Sequence, residues 1–270
     1  MRAIILLLAL LWPGVTMAQS VDLGGSDQPV EIDAAESLEW HSEEQLYVAR
    51  GDAVLRQGDT EVRADTLTAH YRELASGDTE IYRVEADGSV VIETPTERAQ
   101  GDHGVYEVDR DVFVLTGGDL RLDTEDGTIT ARDSLEYWQG AQRAIARGNA
   151  VAVQTAEGGG ENRIEADVLT AELAEGPDGS LEIQVIDATG GVTITTPTDV
   201  ARGREGVYNL QTDIATLTGD VRLTRGQNQL NGDYAEVNLE TGVSRLLARP
   251  GEGEGRVRGL LVPNDGQSNP

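Results

Sequence analysis

The sequence predicts an all-β protein in which two antiparallel sheets face each other. Three observations predict it: apolar and polar residues alternate over short runs, Gly-Asp pairs punctuate the chain, and a long segment occurs twice. Alternation with a period of two is typical of strands that are buried on one face only. An exposed apolar face is unfavourable in water, so we expect a second sheet or a ligand to cover it.

The first elements are an N-terminal signal and an ambiguous segment. Arg2, the apolar run 3–11 and the small residue Ala18 make residues 1–18 typical of a cleavable secretory signal. A spanning helix needs about 20 apolar residues, and Pro13 interrupts this run earlier; an uncleaved anchor is the alternative. Residues 34–44 either form a helical turn or join the first strand pair.

Turns are predicted wherever a Gly-Asp pair separates two alternating runs, because both residues are common in turns. These pairs are Gly51-Asp52, Gly58-Asp59, Gly77-Asp78, Gly101-Asp102, Gly118-Asp119, Gly219-Asp220 and Gly232-Asp233.

The chain is roughly a tandem duplication, because the segment that begins near Ser89 recurs near Gly191. Thr94-Pro95-Thr96 recurs as Thr196-Pro197-Thr198 in this alignment. Repeated strand-turn-strand units stack on one another. We therefore expect one β domain over about residues 28–249, made of repeats near 46–145 and 146–249. A polar, Gly-rich tail at 250–270 is expected to be flexible.

Composition excludes several classes of function. The net charge is −27, and all 21 basic residues are Arg, so binding to nucleic acid is not expected. Cysteine is absent, which excludes disulfides and a thiol nucleophile. The three histidines, His41, His70 and His103, have no metal-ligand spacing, so we expect no metal, no cofactor and no enzyme activity.

Two stretches resemble the periplasmic lipopolysaccharide-transport bridge proteins of the LptA/OstA-like group. Residues 217–242 read LTGDVRLTRGQNQLNGDYAEVNLETG, and residues 51–71 read GDAVLRQGDTEVRADTLTAHY. Both resemble that family's succession of Leu-Thr-Gly, Gln-Gly and Gly-Asp turns between strands. The resemblance runs through most of the chain after the signal, but it concerns turns and alternation rather than catalytic residues.

The resemblance implies a V-shaped antiparallel β-jellyroll, or β-taco, whose splayed sheets take the acyl chains of lipid A. It also implies a periplasmic location and transfer of lipopolysaccharide from the inner to the outer membrane. The implied partners are lipopolysaccharide, a bitopic inner-membrane component, an outer-membrane barrel component and further copies joined head to tail. The strands near 30–32 and 245–248 are candidate edges for such joining.

The candidate ligand-binding residues are the apolar positions on the inward row of each predicted strand. They are Val62, Ala64, Leu67, Val90, Ile92, Leu120, Leu122, Ile164, Leu169, Val192, Ile194, Val221 and Leu223. Closed core packing explains the same alternation. The alternative function is therefore a non-enzymatic structural or adhesive β-repeat protein of the cell surface. Arg202 and Arg204 could meet a lipid phosphate, although a solvated loop is the simpler interpretation.

Overall fold

The computed structural model describes residues 30–125, 127–155, 160–176, 181–212, 214–238, 243–248 and 257–262. These residues form strands joined by turns, with single 3-10 turns at Val108–Arg110 and Gln139–Ala141. The strand pairs whose register is described are all antiparallel, so the predicted all-β antiparallel fold is confirmed. The described part of the chain contains no helix long and apolar enough to span a membrane. The predicted signal at 1–18 lies outside the described residues.

The described residues form eighteen strands, numbered in chain order. They are β1 (Glu31–Asp33), β2 (Ser37–His41), β3 (Leu46–Gln57), β4 (Thr60–Glu73), β5 (Thr79–Glu93), β6 (Arg98–Glu107), β7 (Val112–Thr116), β8 (Arg121–Asp123), β9 (Gly127–Thr130), β10 (Ser134–Trp138), β11 (Arg143–Thr155), β12 (Glu161–Glu175), β13 (Leu181–Thr195), β14 (Asp199–Asn209), β15 (Ile214–Arg225), β16 (Asn228–Asn238), β17 (Val243–Leu247) and β18 (Arg258–Leu260).

The chain divides into two compact units, each considered by itself. The described residues of the N-terminal unit lie within 30–152 and 168–184, and those of the C-terminal unit lie within 153–167 and 185–262. In the N-terminal unit, β1 and β2 both pair with β3, and β3 to β6 follow as a meander. β6 then pairs with β7 and β8, while β7 pairs with β10. In the C-terminal unit, β13 to β16 form a meander, and β16 pairs with both β17 and β18.

Four of the seven predicted Gly-Asp turns are wrong, because these pairs lie inside long strands. They are Gly51-Asp52 in β3, Gly101-Asp102 in β6, Gly219-Asp220 in β15 and Gly232-Asp233 in β16. Two of them form β-bulges, where the strand register shifts. Gly51 and Asp52 have φ of 77° and 45°, and Gly219 and Asp220 have φ of 79° and 54°. A bulge of this kind needs the same left-handed backbone as a hairpin turn, so the residue types alone do not separate the two.

The aspartates of the other two pairs lie opposite bulges on neighbouring strands. Asp102 shows how such a residue acts: its Oδ2 accepts a hydrogen bond from the backbone N–H of Gly118 at 2.6 Å. A Cβ on Gly117 would lie 2.4 Å from the Cβ of Asp102. Glycine is therefore required at Gly117, because the aspartate side chain occupies the space above it.

Two further segments differ from a simple reading of the sequence. Residues 34–44 contain strand β2 rather than a helical turn. Most of the predicted tail at 250–270 lies outside the described residues, but residues Arg258–Leu260 form β18, a strand that the sequence did not predict.

Candidate functional site

The C-terminal unit has a continuous apolar face formed by β13 to β16. Residues that pair directly across strands point to the same side of a sheet. Two such rows cross this face: Ile186, Tyr208, Ala215 and Val237 form one, and Ala188, Gly206, Leu217 and Ala235 form the other. We call this side the inner face of the C-terminal unit.

This inner face borders an open pocket with a volume of about 540 Å³, including its part open to solvent. The lining residues come from β12 to β16 and are mostly aliphatic. They are Ile164, Ile186, Ala188, Val192, Ile194, Gly206, Val207, Tyr208, Ala215, Thr216, Leu217, Leu223, Ala235 and Val237. The pocket offers almost no polar atom to a ligand, so its surface suits an apolar chain.

The structure places the predicted site residues at buried or half-buried positions. Ile164, Val192, Ile194 and Leu223 line the pocket, and Val221 is buried in the same unit. In the N-terminal unit, Leu122 is half-buried and the other predicted residues are buried. Those buried residues are Val62, Ala64, Leu67, Val90, Ile92, Leu120 and Leu169. Burial fits ligand binding and core packing equally, so their role in binding stays a prediction.

Sequence reasoning missed ten of the fourteen lining residues, both large ones such as Ile186 and Tyr208 and small ones. Ala188, Ala215 and Ala235 line the pocket and lie on the same alternating face as the larger residues. Their alternation was present in the sequence. It was overlooked because alanine is only weakly apolar.

The N-terminal unit has an inner face of the same kind. One cross-strand row runs Leu38, Ala49, Leu67, Ala86, Gly104, Leu115, Leu135 and Ala146. A second row runs Trp40, Tyr47, Ala69, Val84, Tyr106, Phe113, Tyr137 and Ala144. Leu38 and Trp40 are 61% and 67% exposed, so the apolar face continues to the edge strand β2 and is uncovered there.

Each inner face carries an acidic residue where its strands begin, and the sequence analysis missed both. In the C-terminal unit, the Asp199 side chain has no exposed surface and accepts two hydrogen bonds from Arg225, at 2.5 and 2.7 Å. These hydrogen bonds raise the pKa of Arg225. The alternation that places Ala201 on the inner face also places Asp199 there.

Glu97 occupies the corresponding position of the N-terminal unit. It is half-buried, and within the described part of the chain its carboxylate has no hydrogen-bond or ion-pair partner. Burial raises the pKa of Glu97 to about 7. The pKa of Tyr137 on the same inner face is raised by burial and by the charge of Glu97, and its hydroxyl is buried without a partner among the described residues.

No metal centre is found in the described residues, which contain no group of three metal-ligating side chains. Each of the three histidines lies beside a carboxylate. His103 Nδ1 lies 2.7 Å from Asp87 on the surface, and His41 Nε2 lies 2.9 Å from Glu39. His70 is less exposed and lies 3.6 Å from Glu85.

The fold and its faces define an all-β protein that presents an apolar inner face in each unit. A family model described as "LptA/(LptD N-terminal domain) LPS transport protein" matches residues 31–134 and 128–243. These matches cover most of the chain, so the chain belongs to this family of lipopolysaccharide transport proteins. The membership confirms the resemblance seen in the sequence and is consistent with a β-jellyroll.

Two individual proteins are also similar to parts of the chain. An uncharacterised curated protein of Rhizobium meliloti (strain 1021) is 27% identical over 96 residues, which is 34% of this chain and 51% of the relative. The chain therefore spans about half the length of that relative. The crystal structure of LptH, the LptA-homologous periplasmic component of the lipopolysaccharide transport device of Pseudomonas aeruginosa, shows 13% identity. That match covers 87% of this chain and 96% of LptH with a TM-score of 0.23.

Proposed function

We propose that this protein binds lipopolysaccharide in the periplasm and passes it from the inner to the outer membrane, without catalysing a reaction. The observation that carries the proposal is the open apolar pocket of about 540 Å³ in the C-terminal unit. A concave, largely aliphatic surface of this kind is typical of sites that bind apolar ligands. Family membership supports lipopolysaccharide as the ligand.

The acyl chains, rather than the phosphorylated sugars, are the part that the pocket would hold. Burying a methylene group contributes about 0.8 kcal/mol, so one acyl chain of about a dozen carbons can contribute several kcal/mol. The net charge of −27 opposes binding of an anionic headgroup to the protein as a whole. An aliphatic lining matches the acyl chains and needs no charged anchor.

A structural or adhesive repeat protein is the competing proposal, and the pocket argues against it. A protein of that kind would pack its apolar rows into a closed core. The inner face of the C-terminal unit instead borders a space open to solvent.

Strand addition at the sheet edges would join this protein to its partners. Among the described residues, β1 and β2 pair only with β3, and β17 and β18 pair only with β16. Backbone groups on the far side of such strands can pair with another chain. We propose that these edges receive the bitopic inner-membrane component, the outer-membrane barrel component or a further copy of the chain, and that exposed Leu38 and Trp40 are covered in the process.

Filling the pocket tests the proposal. Ala215 lines the pocket and is buried, so Ala215→Leu places a larger side chain in the space that an acyl chain would occupy. We expect the affinity of the purified protein for fluorescently labelled lipopolysaccharide to fall at least about fivefold, since the added carbons exclude part of the chain. Thr195→Leu, on the opposite side of β13 from Ile194, is the control and should bind like the wild type.

Overpacking can cost about 1–3 kcal/mol of stability, so thermal unfolding is measured on both variants. A folded Ala215→Leu variant that binds lipopolysaccharide as well as the wild type would contradict the proposal.

A further inference from the structure

The outer face of the C-terminal unit carries a row of arginines. Cross-strand pairing aligns one residue from each of five strands, β13, β14, β15, β16 and β18. In that order they are Thr193, Arg202, Arg222, Asn231 and Arg258. Arg202 follows the buried Ala201, and Arg222 lies between the buried Val221 and Leu223, so the row points away from the pocket. We call these five residues the arginine row.

Arg202 and Arg222 are exposed and lie directly opposite each other in β14 and β15. The Cβ atoms of such a pair are about 4.5–5.5 Å apart, and like charges at this position destabilise a sheet. In the described part of the chain, neither arginine forms an ion pair with a carboxylate. Arg222 donates a hydrogen bond of 3.3 Å to the amide oxygen of Asn231. Two adjacent guanidinium groups of a strongly acidic protein therefore have no carboxylate partner among the described residues.

On one side of the arginine row, the neighbouring residues carry no charge that would offset the arginines. The adjacent cross-strand row contains no charged residue: it is Thr195, Val200, Thr224, Gln229 and Leu260. On the other side, next to the bulge of β15, lie the acidic residues Glu205, Asp220 and Asp233. Arg204 lies 3.6 Å from Asp220, so the acidic groups lie on the bulge side and a further arginine offsets one of them.

The N-terminal unit has a matching row without this charge. Its residues are Val91, Gln100, Arg121 and Thr130, from β5, β6, β8 and β9. Arg121 donates two hydrogen bonds to Asp123, at 2.7 and 2.6 Å. In the repeat alignment Gln100 corresponds to Arg202 and Asp123 to Thr224. These two differences turn a neutralised row into a cationic one.

We propose that Arg202 and Arg222, with Arg258 at the edge, bind a phosphate group. Guanidinium groups present planar pairs of N–H donors that match phosphate oxygens, and two of them can contact one tetrahedral anion. Arg258 lies two strands from Arg222, about 10 Å away at the usual strand spacing, and adds a longer-range attraction. The phosphate can belong to a lipid headgroup or be free in solution. The site lies on the side of the sheet opposite the pocket, so it does not depend on the proposed function.

Binding is tested on the mature full chain with two probes. Inorganic phosphate is titrated by calorimetry at constant ionic strength, with chloride replacing phosphate in the reference. Vesicles of phosphatidylcholine with and without phosphatidic acid are used for co-sedimentation. Binding of inorganic phosphate alone would assign a soluble phosphate, whereas binding of phosphatidic acid vesicles would assign a lipid headgroup; either supports the proposal.

The repeat supplies matched variants. Arg202→Gln introduces the residue that the N-terminal row has at the corresponding position, Gln100. Thr224→Asp places a carboxylate beside Arg222, as Asp123 lies beside Arg121. We expect both variants to bind the successful probe at least about tenfold more weakly, since each removes a charge or neutralises one. Arg121→Gln, in the matching row, should bind like the wild type.

A stability readout separates loss of binding from loss of folding. Without phosphate, Arg202→Gln should unfold at the same or a higher temperature than the wild type because a like-charge pair is removed. Phosphate should raise the unfolding temperature of the wild type but not that of Arg202→Gln. Failure of the wild type to bind either probe, or equal binding by Arg202→Gln and Arg121→Gln, would overturn the proposal.

Discussion

The two inner faces begin with the same turn, but the acidic residue of that turn has different surroundings in the two units. In the N-terminal unit the turn reads Thr94-Pro95-Thr96-Glu97, and in the C-terminal unit it reads Thr196-Pro197-Thr198-Asp199. In both turns the backbone N–H of the acidic residue donates to the first threonine's Oγ1 at 3.1 Å. The local structure is therefore shared, and the difference lies in what surrounds the carboxylate.

One position on a neighbouring strand decides that difference. Arg225 neutralises Asp199, whereas the residue corresponding to Arg225 in the first repeat is Thr124. Glu97 has no cationic partner within the part of the chain that the structure describes, and burial raises its pKa to about 7. One acidic residue thus has a cation beside it, whereas burial alone acts on the other and raises its pKa, and one substitution between the repeats accounts for the difference.

Removing Arg225, the cation beside Asp199, should have the largest effect on stability. Arg225→Met leaves the fully buried carboxylate of Asp199 with its hydrogen bond from Thr198 but without a cation. We expect the free energy of unfolding at neutral pH to fall by about 3–5 kcal/mol, because an uncompensated buried charge is costly. Urea denaturation measures this loss.

Arg245→Met is the matched control. Arg245 is 66% exposed and lies 3.5 Å from Glu236, so its loss should cost less than about 1 kcal/mol. The double variant Asp199→Asn/Arg225→Met should recover most of the stability that Arg225→Met loses. Equal losses of unfolding free energy for Arg225→Met and Arg245→Met would contradict this prediction, because the buried ion pair would then contribute no more than the exposed one.

Replacing Glu97, the acidic residue without a cationic partner among the described residues, by a neutral residue should change stability less and in the opposite direction. A carboxyl group whose folded pKa is raised binds its proton more tightly in the folded state, so stability falls as pH rises from its ordinary value of 4.5 to about 7. Glu97→Gln removes this penalty. It should be more stable than the wild type by about 1–3 kcal/mol at about pH 8, and the difference should vanish below the ordinary pKa.

Urea denaturation at a series of pH values checks this prediction. A constant difference between Glu97→Gln and the wild type at all pH values would mean that Glu97 does not titrate in this range.

The sequence predicted the features that depend on alternation and repetition. Val192 and Ile194 alternate with polar residues, so their burial on one face followed directly from the period of a strand. Gly51-Asp52 was misassigned because a bulge and a turn both need a left-handed backbone. The pairing of Asp199 with Arg225 spans 26 residues and depends on strand register, which the local pattern does not specify.

The arginine row could not be predicted from the sequence because it also depends on strand register. Arg202 and Arg222 lie 20 positions apart in the chain (222 minus 202), and only the register of β14 against β15 brings them face to face. The expectation of a solvated loop at Arg202 and Arg204 was wrong, because both residues lie within β14.

Photocrosslinking in cells tests the central claim, transport of lipopolysaccharide along the inner faces, most directly. A photoreactive residue is placed at Ile92 or Ile194, with the outward neighbours Val91 and Thr195 as controls, and the products are blotted for lipopolysaccharide. The account predicts adducts at Ile92 and Ile194 but not at the controls. A folded, exported protein that gives no adduct at either inward position, or equal adducts at all four, would contradict it.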